Sequence, residues 1–183
     1  MDRHGVITDL MDRYGTEVLH LAYSYVRNRQ TAEDLAQEIF IKCYEKLDMF
    51  EGNSAIDTWL YRIAVNHCKD YLKSWHHRKM MVTDYISSFI TAKHSGAEWQ
   101  FFEKQNKSEL LEEVFQMPIK YREIIFLYYF KEYSQKEISE ICGLNLSTVK
   151  ARMVRGRELL KKLMTERGGA DGEGFEKDKR SNA

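Results

Sequence analysis

The chain has 183 residues, of which 43% are apolar and 31% charged, and its formal net charge at neutral pH is zero. This is an ordinary globular composition, and the length allows one domain or two small ones. One proline and ten glycines provide few turn residues, which favours helices over sheets.

The hydropathy pattern gives no sign of export or of membrane insertion, so we expect a cytoplasmic protein. Residues 1–12 mix charged and apolar residues, unlike the basic-then-apolar layout of a secretory signal. No uninterrupted apolar run approaches the roughly 20 residues that span a bilayer. Three widely spaced cysteines lie on apolar helical stretches, which indicates buried thiols rather than a disulfide or zinc site: Cys43, Cys68 and Cys142.

Helical periodicity predicts three or four helices within residues 1–82. The first covers about residues 6–26, and Thr31 is the predicted N-cap of the second. A short polar break over residues 51–54 precedes a third helix, which we expect to end near Trp75.

The second half of the chain is also predicted to be helical, after a segment without clear periodicity. The pattern degrades over residues 83–103, which we interpret as a linker, and four helices are predicted within residues 104–167. Residues 168–183 hold four of the ten glycines and almost nothing apolar, which predicts a disordered tail. The expected fold is all-α, with two small helical domains joined by a linker.

Charge is distributed unevenly along the chain. Residues 1–53 carry six Lys/Arg against ten Asp/Glu, net −4. Residues 54–82 carry five against two, net +3, and residues 145–164 carry six against one, net +5. Basic helical stripes suit phosphate backbones, although a solvated helix face can have the same charge.

The pattern after Ser134 is that of a helix-turn-helix. Ser134 and Glu137 have capping-box spacing, Gly143 stands where the turn needs a left-handed residue, and Ser147 can cap the next helix. That second helix has an apolar stripe and a basic remainder, which suits major-groove reading. The alternative is a plain helical hairpin with a basic outer face. The stripe consists of Val149, Met153, Gly156, Leu160 and Leu163.

Four motifs carry a family resemblance. Residues 117–123 (MPIKYRE) and 134–157 are similar to the C-terminal DNA-binding domain of the extracytoplasmic-function (ECF) subfamily of sigma-70 factors of bacterial RNA polymerase. Residues 32–40 (AEDLAQEIF) resemble the family's polymerase-binding helix, and residues 58–66 (TWLYRIAVN) its promoter-melting helix. Met117 departs from the usual Leu, and Lys73 from a frequent Arg.

The resemblance implies that residues 1–82 are sigma domain 2, which binds polymerase and melts the minus-ten element, and that residues 104–167 are sigma domain 4, which reads the minus-35 element. The implied polymerase contacts are Asp34, Gln37, Glu38, Glu45, Tyr121 and Arg122. The implied minus-ten contacts are Asn53, Ser54, Arg62, Asn66, Lys69 and Lys73. The implied minus-35 contacts are Ser147, Thr148, Lys150, Arg152, Arg155 and Arg157.

The resemblance also implies the partners of the chain. They are the β and β′ subunits of core RNA polymerase, promoter DNA and an anti-sigma factor that controls a stress response. A catalytic site, a metal and a cofactor are not expected, because polymerase performs the chemistry.

Two other classes of protein compete with this interpretation. A stand-alone repressor or activator would need a dimerisation surface or effector pocket in residues 1–100, and the melting-helix motif argues against it. An enzyme is the second alternative, because Glu17 and His20 have the E-x-x-H spacing of a di-iron ligand pair. Such sites need a second E-x-x-H, which this sequence lacks.

Overall fold

The computed structural model describes residues 2–83 and 108–167, and every regular element in these two ranges is helical. The all-α prediction is therefore confirmed. The predicted tail, residues 168–183, lies outside the described residues, as does the predicted linker apart from Thr83.

The N-terminal domain consists of three α-helices and one 3-10 turn. Helix α1 (Arg3–Val26) packs along α2 (Arg29–Lys46), and the 3-10 turn Leu47–Met49 leads on towards α3 (Ile56–Thr83). Helix α3 lies against both α1 and α2, so the three helices enclose one apolar core. Its most deeply buried members include Leu10, Val18, Leu21, Leu35, Ile39, Leu60 and Ala64.

Two helix boundaries differ from their predicted positions. The N-cap of α2 is Asn28, whose Oδ1 accepts a hydrogen bond from the Thr31 backbone N at 2.9 Å, so the Thr31 prediction is wrong. Helix α1 ends at Arg27, whose backbone is left-handed (φ 53°). The next residue, Asn28, has a side-chain oxygen that can cap a helix, so α2 begins directly after it. Helix α3 continues past Trp75 to Thr83.

The C-terminal domain contains four α-helices, as predicted. These are α4 (Ser108–Gln116), α5 (Ile119–Tyr129), α6 (Gln135–Cys142) and α7 (Leu146–Arg167). Helix α7 packs on the other three, and its contact with α5 is the most extensive. The core of the domain includes Met117, Ile124, Ile125, Leu127, Ile138, Val149, Met153 and Leu160.

The two domains also pack against each other, which the sequence does not predict. Helix α3 of the N-terminal domain lies against α6, and α1 lies against α5. The three cysteines are free and buried, and burial raises the pKa of each thiol to about 12. They are therefore protonated core residues at neutral pH, as expected from the sequence.

Candidate nucleic-acid interface

The turn between α6 and α7 is built by local hydrogen bonds. Ser134 and Glu137 form the predicted capping box: Ser134 Oγ accepts from the Glu137 backbone N at 3.3 Å, and Glu137 Oε2 accepts from the Ser134 backbone N at 2.8 Å. Gly143 ends α6 at φ 64°, the left-handed conformation predicted for it. Asn145, rather than Ser147, caps α7, because its Oδ1 accepts from the Thr148 backbone N at 2.7 Å.

Helix α7 separates an apolar face from a basic face. Val149, Met153, Gly156 and Leu160 are buried, and Leu163 is half-buried. Of the predicted minus-35 contacts, three are exposed and three are half-buried. The exposed residues are Ser147, Lys150 and Arg155, and the half-buried ones are Thr148, Arg152 and Arg157.

Gly156 lets α7 approach α5 closely. A Cβ at this position would lie 3.0 Å from Ile125 Cγ1 and 3.6 Å from Met117 Cε, and both of these neighbours are fully buried. We expect Gly156→Val to lower the free energy of unfolding by about 1–3 kcal/mol, because the added methyl groups overpack the core. Urea denaturation followed by circular dichroism measures this change.

The matched control is Gly15→Val, because a Cβ at Gly15 meets nothing within 4 Å. That variant should stay within about 0.5 kcal/mol of the parent. Equal effects at the two glycines would contradict the close helix approach.

The predicted minus-ten residues lie along one side of α3 and in the loop before it. Arg62, Asn66 and Lys73 are exposed at spacings of four and seven residues, so they share a helix face. Lys69 falls on the same stripe, but it is half-buried and ion-paired. In the loop, exposed Asn53 donates a hydrogen bond to Glu51 Oε2 at 2.8 Å, and Ser54 is half-buried.

Trp59 is a core-edge residue in this structure. Its ring is half-buried and lies 5.2 Å from the Phe50 ring, centroid to centroid. Tyr61 is fully buried, and its hydroxyl donates to Glu17 Oε2 at 2.6 Å. Both rings therefore contribute to packing within the N-terminal domain.

The acidic face of α2 is exposed over its whole length. Ile41, which the sequence analysis missed, is 58% exposed in the middle of this face. Ile41 lies four residues from both Gln37 and Glu45, and this spacing could have placed it on the same helix face from the sequence. The predicted polymerase contacts on this helix are all exposed: Asp34, Gln37, Glu38 and Glu45.

The other two predicted polymerase contacts lie on α5 in different environments. Tyr121 is half-buried, and a hydrogen bond from Arg155 lowers the pKa of its hydroxyl. Arg122 is 8% exposed, and its guanidinium donates to the backbone carbonyls of Met117 and Ser24. Burial, with the charge of Arg27 nearby, lowers the pKa of Arg122 to about 10.

One buried carboxylate joins the two basic helices. Glu123 on α5 is 2% exposed, and its Oε2 lies 3.0 Å from Lys69 Nζ on α3. Its Oε1 accepts from Arg152 Nη1 on α7 at 3.1 Å. Tyr25 on α1 donates to Oε2 at 2.8 Å, and burial raises the pKa of this phenol well above its usual value. Two predicted DNA contacts, Lys69 and Arg152, therefore point into the domain interface.

A second set of contacts joins the domains around Glu17. Lys131 Nζ lies 3.4 Å from Glu17 Oε2, and Tyr133 Oη donates to Asp57 Oδ2 at 3.1 Å. His20, the other half of the E-x-x-H pair, has its pKa lowered to about 4, mainly by burial and also by Lys131. Glu17 thus forms a contact between the two domains. Residues 2–83 and 108–167 contain no cluster of metal-ligating side chains.

This arrangement defines a class: a two-domain helical protein with a basic helix in the first domain and a helix-turn-helix in the second. Residues 10–78 match the family model for sigma-70 region 2, and residues 107–160 match the one for sigma-70 region 4. SigW of Bacillus subtilis, an ECF RNA polymerase sigma factor, is 32% identical over 86% of this chain and 88% of its own length. The chain belongs to the ECF sigma factors of the sigma-70 family.

One further relative agrees with this assignment, and two solved structures share the fold. YlaC of Bacillus subtilis, an RNA polymerase sigma factor, is 34% identical and covers 91% of this chain and 96% of its own. CnrH, solved with the cytosolic domain of CnrY, superposes with a TM-score of 0.65 at 20% identity over 90% of this chain and 91% of its own. RpoE of Bartonella quintana, solved with the anti-sigma factor NepR, superposes with a TM-score of 0.67 at 23% identity, over 86% of this chain and 96% of its own.

These comparisons establish a sigma factor, which is a DNA-binding regulator rather than an enzyme. Within the described helices, no segment combines the length and hydropathy needed to cross a membrane.

Proposed function

We propose that this sigma factor binds core RNA polymerase through α2, reads the minus-35 element with α7 and opens the minus-ten element with α3. The observation that carries the proposal is the separation of three surfaces on one chain. An acidic face on α2, a basic stripe on α3 and a basic face on α7 each lie on a different helix. Basic faces suit DNA phosphates, and an acidic face suits a basic protein partner.

The acidic face of α2 is the proposed docking surface for the polymerase β′ subunit. Its carboxylates provide charge complementarity, and exposed Ile41 provides apolar area at the centre. Domain 4 is proposed to contact the β subunit through Tyr121 and Arg122. Because Arg122 is bonded to Ser24 across the domain interface, its use as a contact requires the domains to separate.

The stripe of Arg62, Asn66, Lys69 and Lys73 is proposed to follow the non-template strand of the minus-ten element. Exposed Asn53, with Ser54 beside it, is proposed to hold a flipped base. Opening costs a few kcal/mol per base, which stacking and hydrogen bonds in a pocket offset. An anti-sigma factor is the proposed regulator, by extension from the NepR complex of the Bartonella protein.

Substitutions at Arg155 and Lys150 test whether α7 is the helix that reads the minus-35 element. Both are exposed on α7, and replacing either with Ala should weaken promoter binding by the holoenzyme. Loss of a base contact costs roughly 1–3 kcal/mol and relaxes preference at one position, whereas loss of a phosphate contact weakens all promoters and lowers the salt slope by about one. Filter binding to promoter variants across a salt series separates the two results.

Lys136→Ala is the control, because Lys136 is exposed on α6 and is not among the predicted minus-35 contacts. It should leave base preference unchanged. Unaltered promoter binding by both α7 variants would contradict the placement of this helix.

A further inference from the structure

Glu123 occupies an unusual position for a carboxylate. Its side chain is 2% exposed and takes donors from three helices: Tyr25 on α1, Lys69 on α3 and Arg152 on α7. Buried carboxylates are rare unless paired. Here the pairing is unusual in its choice of partners, because each cation comes from a different proposed DNA-binding helix.

We infer that Glu123 is an internal competitor of DNA phosphate that holds the free sigma factor in a closed arrangement. The inference rests on the proposed function of α3 and α7. A carboxylate presents two anionic oxygens to Lys and Arg, as a phosphate does, and both form short charge-assisted hydrogen bonds. While Lys69 is bound to Glu123, its ammonium group is turned away from DNA, and Arg152 has its Nη1 committed to the same carboxylate.

The geometry makes the competition exclusive for Lys69. Its Nζ lies 3.0 Å from Glu123 Oε2 and 3.4 Å from the Cys142 carbonyl oxygen, and its side chain is 26% exposed. Both acceptors belong to domain 4, so the ammonium group can turn to DNA only when domain 4 leaves α3. The free chain therefore has to open before the minus-ten stripe is complete.

Other contacts between the domains hold them together without using proposed DNA contacts. Lys131 pairs with Glu17, Tyr133 donates to Asp57, and Arg122 donates to the Ser24 carbonyl. These contacts stabilise closure in general. Through Lys69, Glu123 couples closure to the minus-ten stripe of α3, and within domain 4 it also holds Arg152. Removing its charge should shift the equilibrium towards the open form rather than abolish the closed form.

The test is Glu123→Gln in the full chain, which keeps the side-chain shape and an oxygen for Tyr25 but removes the charge. The distance between labels at Asp12→Cys and Glu140→Cys, both exposed and one in each domain, reports closure by double electron–electron resonance. Glu123→Gln should populate a longer distance. Fluorescence anisotropy should show duplex DNA binding by the free protein about tenfold tighter, because apparent affinity rises with the fraction of open chains.

Glu158→Gln is the matched control, since it removes the same charge from an exposed position on α7. It should leave the distance unchanged and alter DNA affinity by about twofold at most. Equal tightening by both variants, or an unchanged distance in Glu123→Gln, would overturn the inference.

If circular dichroism shows that Glu123→Gln is unfolded, Tyr25→Phe replaces it. That variant keeps every charge and removes one hydrogen bond to Glu123. It should lengthen the distance in a smaller fraction of molecules, and an unchanged distribution would overturn the inference. Transcription by the wild-type chain with polymerase is scored separately. Its failure would refute the proposed function, whereas normal transcription with an unchanged label distance would refute only the closure by Glu123.

Discussion

Replacing Ile41 with Asp should weaken the affinity for core polymerase by about 30-fold or more, the effect of losing a central contact worth about 2 kcal/mol. Ile41 is 58% exposed between acidic residues of α2. In the complex, an apolar side chain there is covered by the partner, whereas an added carboxylate has to be desolvated. Surface plasmon resonance with immobilised core enzyme measures the change, and the variant should fold normally because the side chain contributes little to the core.

The control for this prediction is Met11→Asp. Met11 is 49% exposed on α1, outside the acidic face of α2, so its replacement should leave polymerase affinity within about twofold. If Ile41→Asp binds as tightly as the parent, the acidic face of α2 is not the docking surface.

Replacing Arg122 with Ala should lower the free energy of unfolding by about 3–5 kcal/mol. The guanidinium is buried, and its hydrogen bonds to the Met117 and Ser24 carbonyls span the domain interface. Removing it leaves these carbonyls without a donor and leaves a cavity, and both effects are costly inside a protein. Denaturant unfolding at neutral pH measures the loss.

Lys136→Ala again serves as the control, since an exposed lysine should contribute within about 0.5 kcal/mol. A loss below about 1 kcal/mol in Arg122→Ala would show that Arg122 is not a structural centre of the interface. Its main role would then be at the polymerase surface, as the family resemblance alone suggests.

Local patterns predicted the helix-turn-helix well because its geometry is encoded within a few residues. The capping box at Ser134 and the left-handed Gly143 follow from side-chain chemistry that acts over three or four positions. The stripe through Gly156 followed from helical period in the same way. Caps were less certain wherever two suitable residues lie close together, as with Asn28 and Thr31.

The domain interface could not be predicted, because it depends on contacts between residues far apart in sequence. Tyr25 and Glu123 are separated by 98 positions, and Lys69 and Cys142 by 73. In the sequence, Glu123 is indistinguishable from an ordinary polar residue of the 117–123 motif. It is buried because α1, α3 and α7 pack around it on α5. Lys69 and Arg152 were assigned to DNA on helical spacing alone, which gives no information about an intramolecular partner.

Strand opening in the presence and absence of core enzyme tests whether this sigma factor opens promoter DNA only together with polymerase. Promoter DNA is treated with permanganate, which modifies unpaired thymines, after incubation with the chain alone, with core polymerase alone or with both. Two weak sites gain little unless a scaffold fixes their span, and the contacts of Glu123 with Tyr25 and Lys69 hold the two domains of the free chain together. We expect reactive thymines in the minus-ten element only when chain and polymerase are both present. Tight sequence-specific binding by the free chain, with no reactive thymines after polymerase is added, would instead indicate a stand-alone repressor.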